Sequence, residues 1–539
     1  MAKFYRRELA TPMQAKHCRF VRGRARAKFL LLGFPVPPSL DAVADHYTLT
    51  KKTFLAGAQC LKRMWWEMYD PAAPELRQSL VGRYRMEEGA RVGVLARSYV
   101  PGGVLITGGG RSLRAILHES ARAIEDPSVP VIYECGVIAN DTLVFPDILE
   151  RVEGGFALIE VKSKTSVSEQ KHIPDIAIQT HVLRAAGVPV VRCEIMYLNR
   201  DCRYPDLSNL FVREDVTKLV DARLEYIDKE IRSQLTVARL PLAPKVATGP
   251  HCKRPDPCPF MNRCWAETPS DHISTLYMVT DIKMEEWAAA GWERIRDLPD
   301  SVQLSAIAAR QRRALREGRR VVERESLAEG MRPIAYPVAH LDFETIQPAI
   351  PVWNGCRPYD QIPVQMSCHI VDQDHHEQHV SWLFGGEGDP RPRIARAVLD
   401  ACKDVATVTA YSAPFERGCL ELLAEGCPDL AAELMGIAQN LVDLLPIVRD
   451  NVYDEKFTGS FSIKKVVPAL VPEMGYDDLA IAEGETASVQ LARMILAGST
   501  MSGEERASLT LQLLEYCKRD TQAMAALSQR LIQLSAIES

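Results

Sequence analysis

The chain has no run of roughly eighteen or more apolar residues, so nothing in it reads as a membrane-spanning helix. It also lacks an excess of one charge. Sixty-five Lys and Arg stand against 70 Asp and Glu, a net charge of −5, which excludes a uniformly basic coat for nucleic acid. Affinity for nucleic acid must then come from local patches. No internal repeat and no low-complexity tract occurs, which excludes solenoid and fibrous architectures. An export leader is not expected: the early apolar stretch from Phe29 to Val36 is short and interrupted by Gly33 and Pro35. A reducing, cytoplasmic setting follows as the expectation. What is present is ordinary for a globular chain, with 47% hydrophobic and 25% charged residues over 539 positions. That length suggests two or three domains. Such a chain does not need disulfide staples, so clustered members of its 14 cysteines read as metal ligands.

Residues 1–47 form a basic arm, with Lys3, Arg6, Arg7, Lys16, Arg19, Arg22, Arg24, Arg26 and Lys28 facing Glu8. It is either a solvated tail or a phosphate-gripping segment. A first folded unit is expected over 48–270. It opens with helix over 75–99, followed by strand-like runs at 131–137, 142–150 and 156–162. Asn140-Asp141 and Glu153-Gly154-Gly155 supply the turns. A helix over 168–186, stopped by Gly187 and Pro189, leads to a strand at 191–198. Residues 271–329 read as a helical linker, where Trp287, Trp292 and Ile295 recur at helical spacing. Arg310, Arg312, Arg313, Arg316, Arg319 and Arg320 there make either a solvated helix face or a nucleic-acid contact, with Arg312 and Arg316 the candidates. A second unit over 330–539 shows strands at 335–343, 364–371, 378–384 and 405–411 and a helix at 393–403. Its remainder is mostly helical.

Three constellations carry chemistry. In the first, Asp147 in Phe-Pro-Asp and Glu160-Val161-Lys162 lie on neighbouring strand-like runs. Residues two apart on a strand share a face, so Glu160 and Lys162 point the same way. Convergent carboxylates offer hard oxygens to Mg²⁺ or Mn²⁺, and a lysine beside them can act on the attacking water. The second is Cys252, Cys258 and Cys264, interleaved with Pro255, Pro257 and Pro259, with Cys60 far upstream. Alternating Pro and Cys makes a poor buried element, and four thiolates suit either an iron–sulfur cluster or zinc. The third joins Asp342 and Glu344 on one strand face, Glu416 after the fourth strand, and Tyr516 with Asp520 one helical turn apart. Four acids can hold two metal ions for in-line phosphoryl displacement, with Tyr516 orienting the water.

On these residues the first unit resembles the RecB-like PD-(D/E)XK nucleases, with Gln179 matching the glutamine often found on the next helix. The family's histidine on the first core helix is missing, and Glu88 stands in the corresponding stretch. The one-plus-three cysteines resemble the subgroup that clamps a [4Fe–4S] cluster around this core. The resemblance implies that Asp147 and Glu160 bind metal, that Lys162 and Gln179 complete the site, and that Cys60, Cys252, Cys258 and Cys264 hold the cluster. The second unit resembles the DEDD exonucleases of the ribonuclease H-like fold, tyrosine subclass. Ser412 and Glu416 replace the usual Asn and Asp of its second motif. Asp342, Glu344, Glu416 and Asp520 are then metal ligands. Val442-Asp443-Leu444-Leu445 resembles a segment after that motif. So does Gly459–Lys465, whose Lys464 and Lys465 would meet the nucleic-acid backbone.

The expected architecture is α/β: two mixed-sheet nuclease domains, restriction-endonuclease-like and then ribonuclease H-like, joined by a helical segment. The expected function is metal-dependent phosphodiester hydrolysis, of DNA, in repair or in defence against phage and mobile elements. The other reading is a nucleic-acid-binding scaffold with decayed sites and a structural zinc.

Overall fold

In a computed structural model, residues 49–106, 110–496 and 501–536 are described; the basic arm lies outside them. The architecture is mixed α/β, as expected. No helix among the described residues is long and apolar enough to cross a membrane.

The first unit begins with β1 (Leu49–Thr50), α1 (Lys51–Gln59), α2 (Leu61–Tyr69), α3 (Leu80–Tyr99), β2 (Gly103–Leu105) and α4 (Leu113–Glu125). It continues through β3 (Val131–Tyr133), β4 (Val137–Ala139), β5 (Thr142–Val144), β6 (Ile148–Val152) and β7 (Gly155–Lys162). The last part is α5 (Glu169–Ala185), β8 (Val190–Leu198), β9 (Phe211–Asp215), α6 (Thr217–Ala238) and the short α7 (Met261–Cys264). One sheet runs β2-β3-β6-β7-β8-β9 and a small one β1-β5-β4. Strands β7 and β8 are parallel, connected through α5, which buries Ile176, Ile178, Val182 and Leu183 in the core. Gly187, at φ 83°, ends that helix in the left-handed conformation its sequence suggested.

The expected three-strand meander is corrected. The runs 131–137 and 142–150 each divide between two sheets. Glu134 adopts φ 55°, which breaks the first run. Pro146 offers no N–H to a ladder and falls at the break in the second. Asn140 and Asp141, both left-handed, turn β4 into β5 as a hairpin. This division places Asp147 at the entry to β6. Ile148 pairs with Ile159 on antiparallel β7, so the next step of the register sets Asp147 opposite Glu160.

The linking segment holds α8 (Asp281–Ala289), α9 (Ala306–Glu317), β10 (Val321–Val322) and α10 (Arg324–Met331). Trp287 and Ile295 are buried in a small core of their own.

The second unit starts with β11 (Val338–Ile346), β12 (Ile362–Val371), β13 (Glu377–Leu383), α11 (Arg391–Ala401), β14 (Thr407–Ala410) and α12 (Pro414–Gly426). It goes on through α13 (Ala431–Asn440), β15 (Val442–Asp443), α14 (Leu444–Asn451), β16 (Val452–Tyr453) and α15 (Ile463–Leu470). The closing helices are α16 (Gly484–Leu496) and the 33-residue α17 (Gly503–Ser535). Its sheet runs β13-β12-β11-β14-β15, with β11 parallel to β14. On one face, Leu341 and Phe343 of β11 pack with Ile394 and Val398 of α11 and Leu420 of α12. On the other, a buried polar stripe from β12 fixes α17. Gln365 Nε2 donates to Leu513 O at 2.8 Å, while Ser367 Oγ and His369 Nδ1 each lie 2.7 Å from Thr521 Oγ1. Buried groups of this kind bond only in one alignment, so the stripe sets the position of α17 along the sheet.

The two units also touch directly. Tyr359, in the segment after β11, donates its hydroxyl to the Ser163 carbonyl at 2.6 Å, next to Lys162. Ala349 packs with Val92, Leu198 and Leu210 of the first unit.

Two candidate active sites and a four-cysteine cavity

At the first site, Glu160 is buried on β7 and both of its carboxylate oxygens are engaged. Oε1 accepts from Lys51 Nζ and Lys162 Nζ, each at 2.8 Å, and Oε2 accepts from Gln179 Nε2 at 2.7 Å. Asp175 closes the arrangement, with Lys162 Nζ at 2.5 Å and Lys51 Nζ at 3.1 Å. Two ammonium groups thus alternate with two carboxylates in a ring. Asp147 Oδ2 accepts from the Val161 N–H at 2.7 Å. Burial, and then the Glu160 charge, push the Asp147 carboxyl up to about 7. Burial also opposes the Glu160 charge, but Lys162 and Lys51 outweigh it and hold that group below the usual carboxylate range. Burial disfavours the charge of each lysine in turn, and Glu160 and Asp175 overcome it, raising both.

All four first-site residues named from sequence, Asp147, Glu160, Lys162 and Gln179, are therefore brought together. The sequence reading missed Lys51 and Asp175. Asp175 had a signal, since it lies four residues before Gln179 on one face of α5. Lys51 had none, being 109 residues from Glu160. Glu88 does not belong to this site. It pairs with Arg91 at 2.9 Å and accepts from the Ala349 N–H at 3.3 Å, because α3 turns that side chain toward the second unit.

At the second site, carboxylate oxygens of Asp342, Glu344 and Asp520 lie within 4.8 Å of one another. Strand β11 presents Asp342 and Glu344 on one face, and α17 carries Asp520 and Tyr516 to it. Glu416, in the first turn of α12, stands beside Asp342 but outside that set of three. Glu416 Oε2 and Asp520 Oδ1 are buried without a hydrogen-bond partner. Burial, followed by mutual repulsion, raises Asp342, Glu344 and Glu416 well above the carboxylate range; burial also raises Asp520. Lys464 is the cation in reach. Its Nζ donates to Tyr516 Oη at 3.1 Å and to the Ala482 carbonyl, so it points inward to the acids. Lys465, one residue on, is exposed. Two further groups went unrecognised in the sequence. Tyr476 lies beside Asp520, and Cys517 donates from Sγ to Asp342 Oδ2 at 3.4 Å. Neither has a local sequence signal.

Arg312 and Arg316, the candidates for a nucleic-acid contact, both have partners within the linking segment. Arg312 donates to Pro299 O at 2.7 Å. Arg316 donates to Arg296 O at 3.0 Å and pairs with Asp300 at 2.6 Å. Their donors clamp the turn at 296–300, because α9 lies against it.

Cys60, Cys252, Cys258 and Cys264 line one pocket, together with Trp66, Phe260 and Met261. Cys60 sits at the break between α1 and α2, capping both. Gln59 Nε2 ties that break to the cysteine loop by donating to His251 O at 2.8 Å and Asp256 O at 2.7 Å. Zinc with sulfurs at about 2.3 Å would draw them to roughly 3.8 Å from one another. Four cysteine thiolates suit either a [4Fe–4S] cluster or zinc.

A family model described as a domain of unknown function (DUF2779) matches residues 339–462. That span contains Asp342, Glu344 and Glu416 and stops before Lys464, Tyr516 and Asp520. An uncharacterized protein of Mycoplasma pneumoniae is 27% identical over 210 residues, covering 35% of this chain and 31% of the relative. A counterpart in Mycoplasma genitalium is 26% identical over 210 residues, with the same coverage. The matched part of the chain thus spans about a third of these relatives' length.

Proposed function

We propose that the chain is a cytoplasmic, metal-dependent nuclease with two hydrolytic sites, acting on DNA in repair or in defence against foreign DNA. The observation that carries this reading is the second site. Asp342, Glu344, Glu416 and Asp520 bring four acids to one place, two of them with an unpartnered buried oxygen, and Lys464 is the cation in reach. Uncompensated buried carboxylates are costly unless protonated or bound to cations. Asp342, Glu344 and Asp520, with Glu416 alongside, would hold Mg²⁺ or Mn²⁺. Such ions supply stabilisation of phosphate charge and a more acidic water. The Tyr516 hydroxyl, held by Lys464 from one side, orients that water against the phosphate. Directionality from the 3′ end rests on the resemblance to DEDD exonucleases.

At the first site, Asp147 and Glu160 would hold the ion and Lys162 would meet the attacking water. Gln179 fixes the Glu160 carboxylate. The four cysteines that line one cavity would hold an iron–sulfur staple, zinc being the other group their thiolates suit.

The test is hydrolysis of end-labelled single-stranded DNA, double-stranded DNA and RNA with Mg²⁺ or Mn²⁺. Cleavage of DNA is expected. Lys162→Ala in an Asp342→Asn background should lower the remaining cleavage by about 10²–10⁴-fold with the fold intact. Absence of cleavage on all three substrates would count against the reading. Tyr516→Phe, with the first site disabled by Lys162→Ala, should slow hydrolysis by about 10–100-fold while Mn²⁺ binding is kept, because only a hydroxyl is removed.

A further inference from the structure

The first site contains one more cation than the resemblance assigns. Lys51 opens α1, and its ammonium lies between Glu160 Oε1 at 2.8 Å and Asp175 Oδ1 at 3.1 Å. With Lys162 and Gln179 also bonded, the Glu160 carboxylate has no oxygen free of a donor. Oε1 already accepts two ammonium donors, so a divalent ion that takes that oxygen as ligand must displace one of them. Gln179 is fully buried and held to Asp175 as well. Lys162 rises from the same strand as Glu160, two residues away, and is the shorter partner of Asp175. Lys51 is the most exposed of the three, at 28%, and is carried on a separate helix. It is the donor that can leave with least disturbance.

We propose that Lys51 is a place-holding cation. It occupies the Glu160 and Asp175 oxygens until a divalent ion binds, and then presents its charge to a phosphate of the nucleic acid. The inference rests on the first site being a metal site, as argued above. The geometry gives it a physical basis. Even with Asp147 ionised, as a bound divalent ion requires, Asp147, Glu160 and Asp175 carry three negative charges against two from Lys51 and Lys162, a balance of −1 that draws a divalent ion weakly. With Lys51 withdrawn the balance is −2. The displaced ammonium stays at the mouth of the site, where an anionic substrate approaches.

The decisive measurement is Mn²⁺ binding followed by electron paramagnetic resonance. It uses the full chain in the Asp342→Asn background, so that the second site contributes less. Lys51→Met should tighten Mn²⁺ binding at the first site by at least about tenfold. The same variant should raise KM for DNA and lower cleavage. Loss of a merely structural lysine would weaken metal binding and cleavage together. Lys51→Arg, which keeps the charge, should leave Mn²⁺ affinity near that of the parent and serves also if Lys51→Met fails to fold. For that case, Lys51→Gln supplies the neutral comparison. A folded neutral variant with unchanged or weaker Mn²⁺ binding overturns the proposal. If Asp147→Asn also leaves Mn²⁺ binding unaltered, the metal-site reading of the first unit falls with it.

Discussion

Asp342→Asn should remove the second unit's share of the Mn²⁺-dependent rise in thermal stability and lower hydrolysis by the second site at least about 100-fold. That floor is the upper end of what loss of an outer-sphere partner costs, and a direct ligand should exceed it. Asp342 lies beside Asp520, Glu344 and Glu416; burial raises Asp342, Glu344 and Glu416 well above the carboxylate range and raises Asp520 as well. A group whose folded pKa is raised binds more protons folded than unfolded, so its ionisation lowers stability as pH rises. The loss begins near the unfolded value of about 4 and continues toward the raised folded values. Three nearby histidines act in the opposite sense. His340 is pulled down to about 3 and His369 to about 4, both by burial first, and His379 is lowered as well. Their contribution is lost as pH falls below their ordinary 6.5, so it rises with pH up to that point. Above about pH 6.5 the histidine contribution levels off, while the raised carboxylates continue to lower stability. The chelated protein should therefore melt at progressively lower temperature from that pH upward. Mn²⁺ should raise the melting temperature and flatten the slope, because a bound cation stabilises the ionised acids. Melting curves with EDTA and with Mn²⁺ across this range check it. A chelated protein that gains stability there, or shows no response to Mn²⁺, contradicts the account. Glu416→Asp is informative beside it. Equal or higher activity would show that an acid at this position works in the site.

Cys258→Ala should remove iron and lower the melting temperature of the first unit by about 10–20 °C. Cys60 and Cys252 are 252 − 60 = 192 residues apart, so a shared cluster closes a very long loop. Treated as a cross-link, such closure contributes about 5 kcal/mol through the unfolded chain. The effect should reach beyond the cysteine loop. Cys60 ends α1, whose first residue is Lys51, and Lys171 of α5 is ion-paired with Asp256 of the loop. Both helices that deliver side chains to the first site are thus tied to the cysteines. First-site cleavage should fall with the iron, whereas Mn²⁺ stabilisation of the second unit should persist. Iron analysis and calorimetry on the same preparation make the measurement. Full iron content in a protein of unchanged melting temperature would remove Cys258 from the ligand set.

Chain order and strand periodicity carried much of this in the sequence. Asp-x-Glu and Glu-x-Lys each place two side chains on one face because a strand alternates every residue, and both motifs lie on strands β11 and β7. Tyr516 and Asp520 share a helix face for the same local reason. Gly187 and the Asn140-Asp141 turn were likewise legible, since left-handed backbone selects few residue types. Local pattern went astray where neighbours decide. The stretch 142–150 reads as one strand, but Pro146 and the pairing available to each half divide it between sheets. Nothing local in the sequence shows that the turn at 296–300 takes donors from Arg312 and Arg316 of α9. The contact of Lys464 with Tyr516 is likewise made by the packing of α15 against α17 and has no local signal.

What the sequence by itself determined is the inventory: two sets of acids on strands, one lysine two residues from a glutamate, and four cysteines split around the first unit. Only the tertiary structure decided which of these meet and what else joins them. Lys51 reaches Glu160 across 109 residues, and Gln365, Ser367 and His369 fix the position of α17 across about 150. Such contacts have no period and no spacing. They are set by loop closure and by the satisfaction of buried charge, which depend on the whole fold at once.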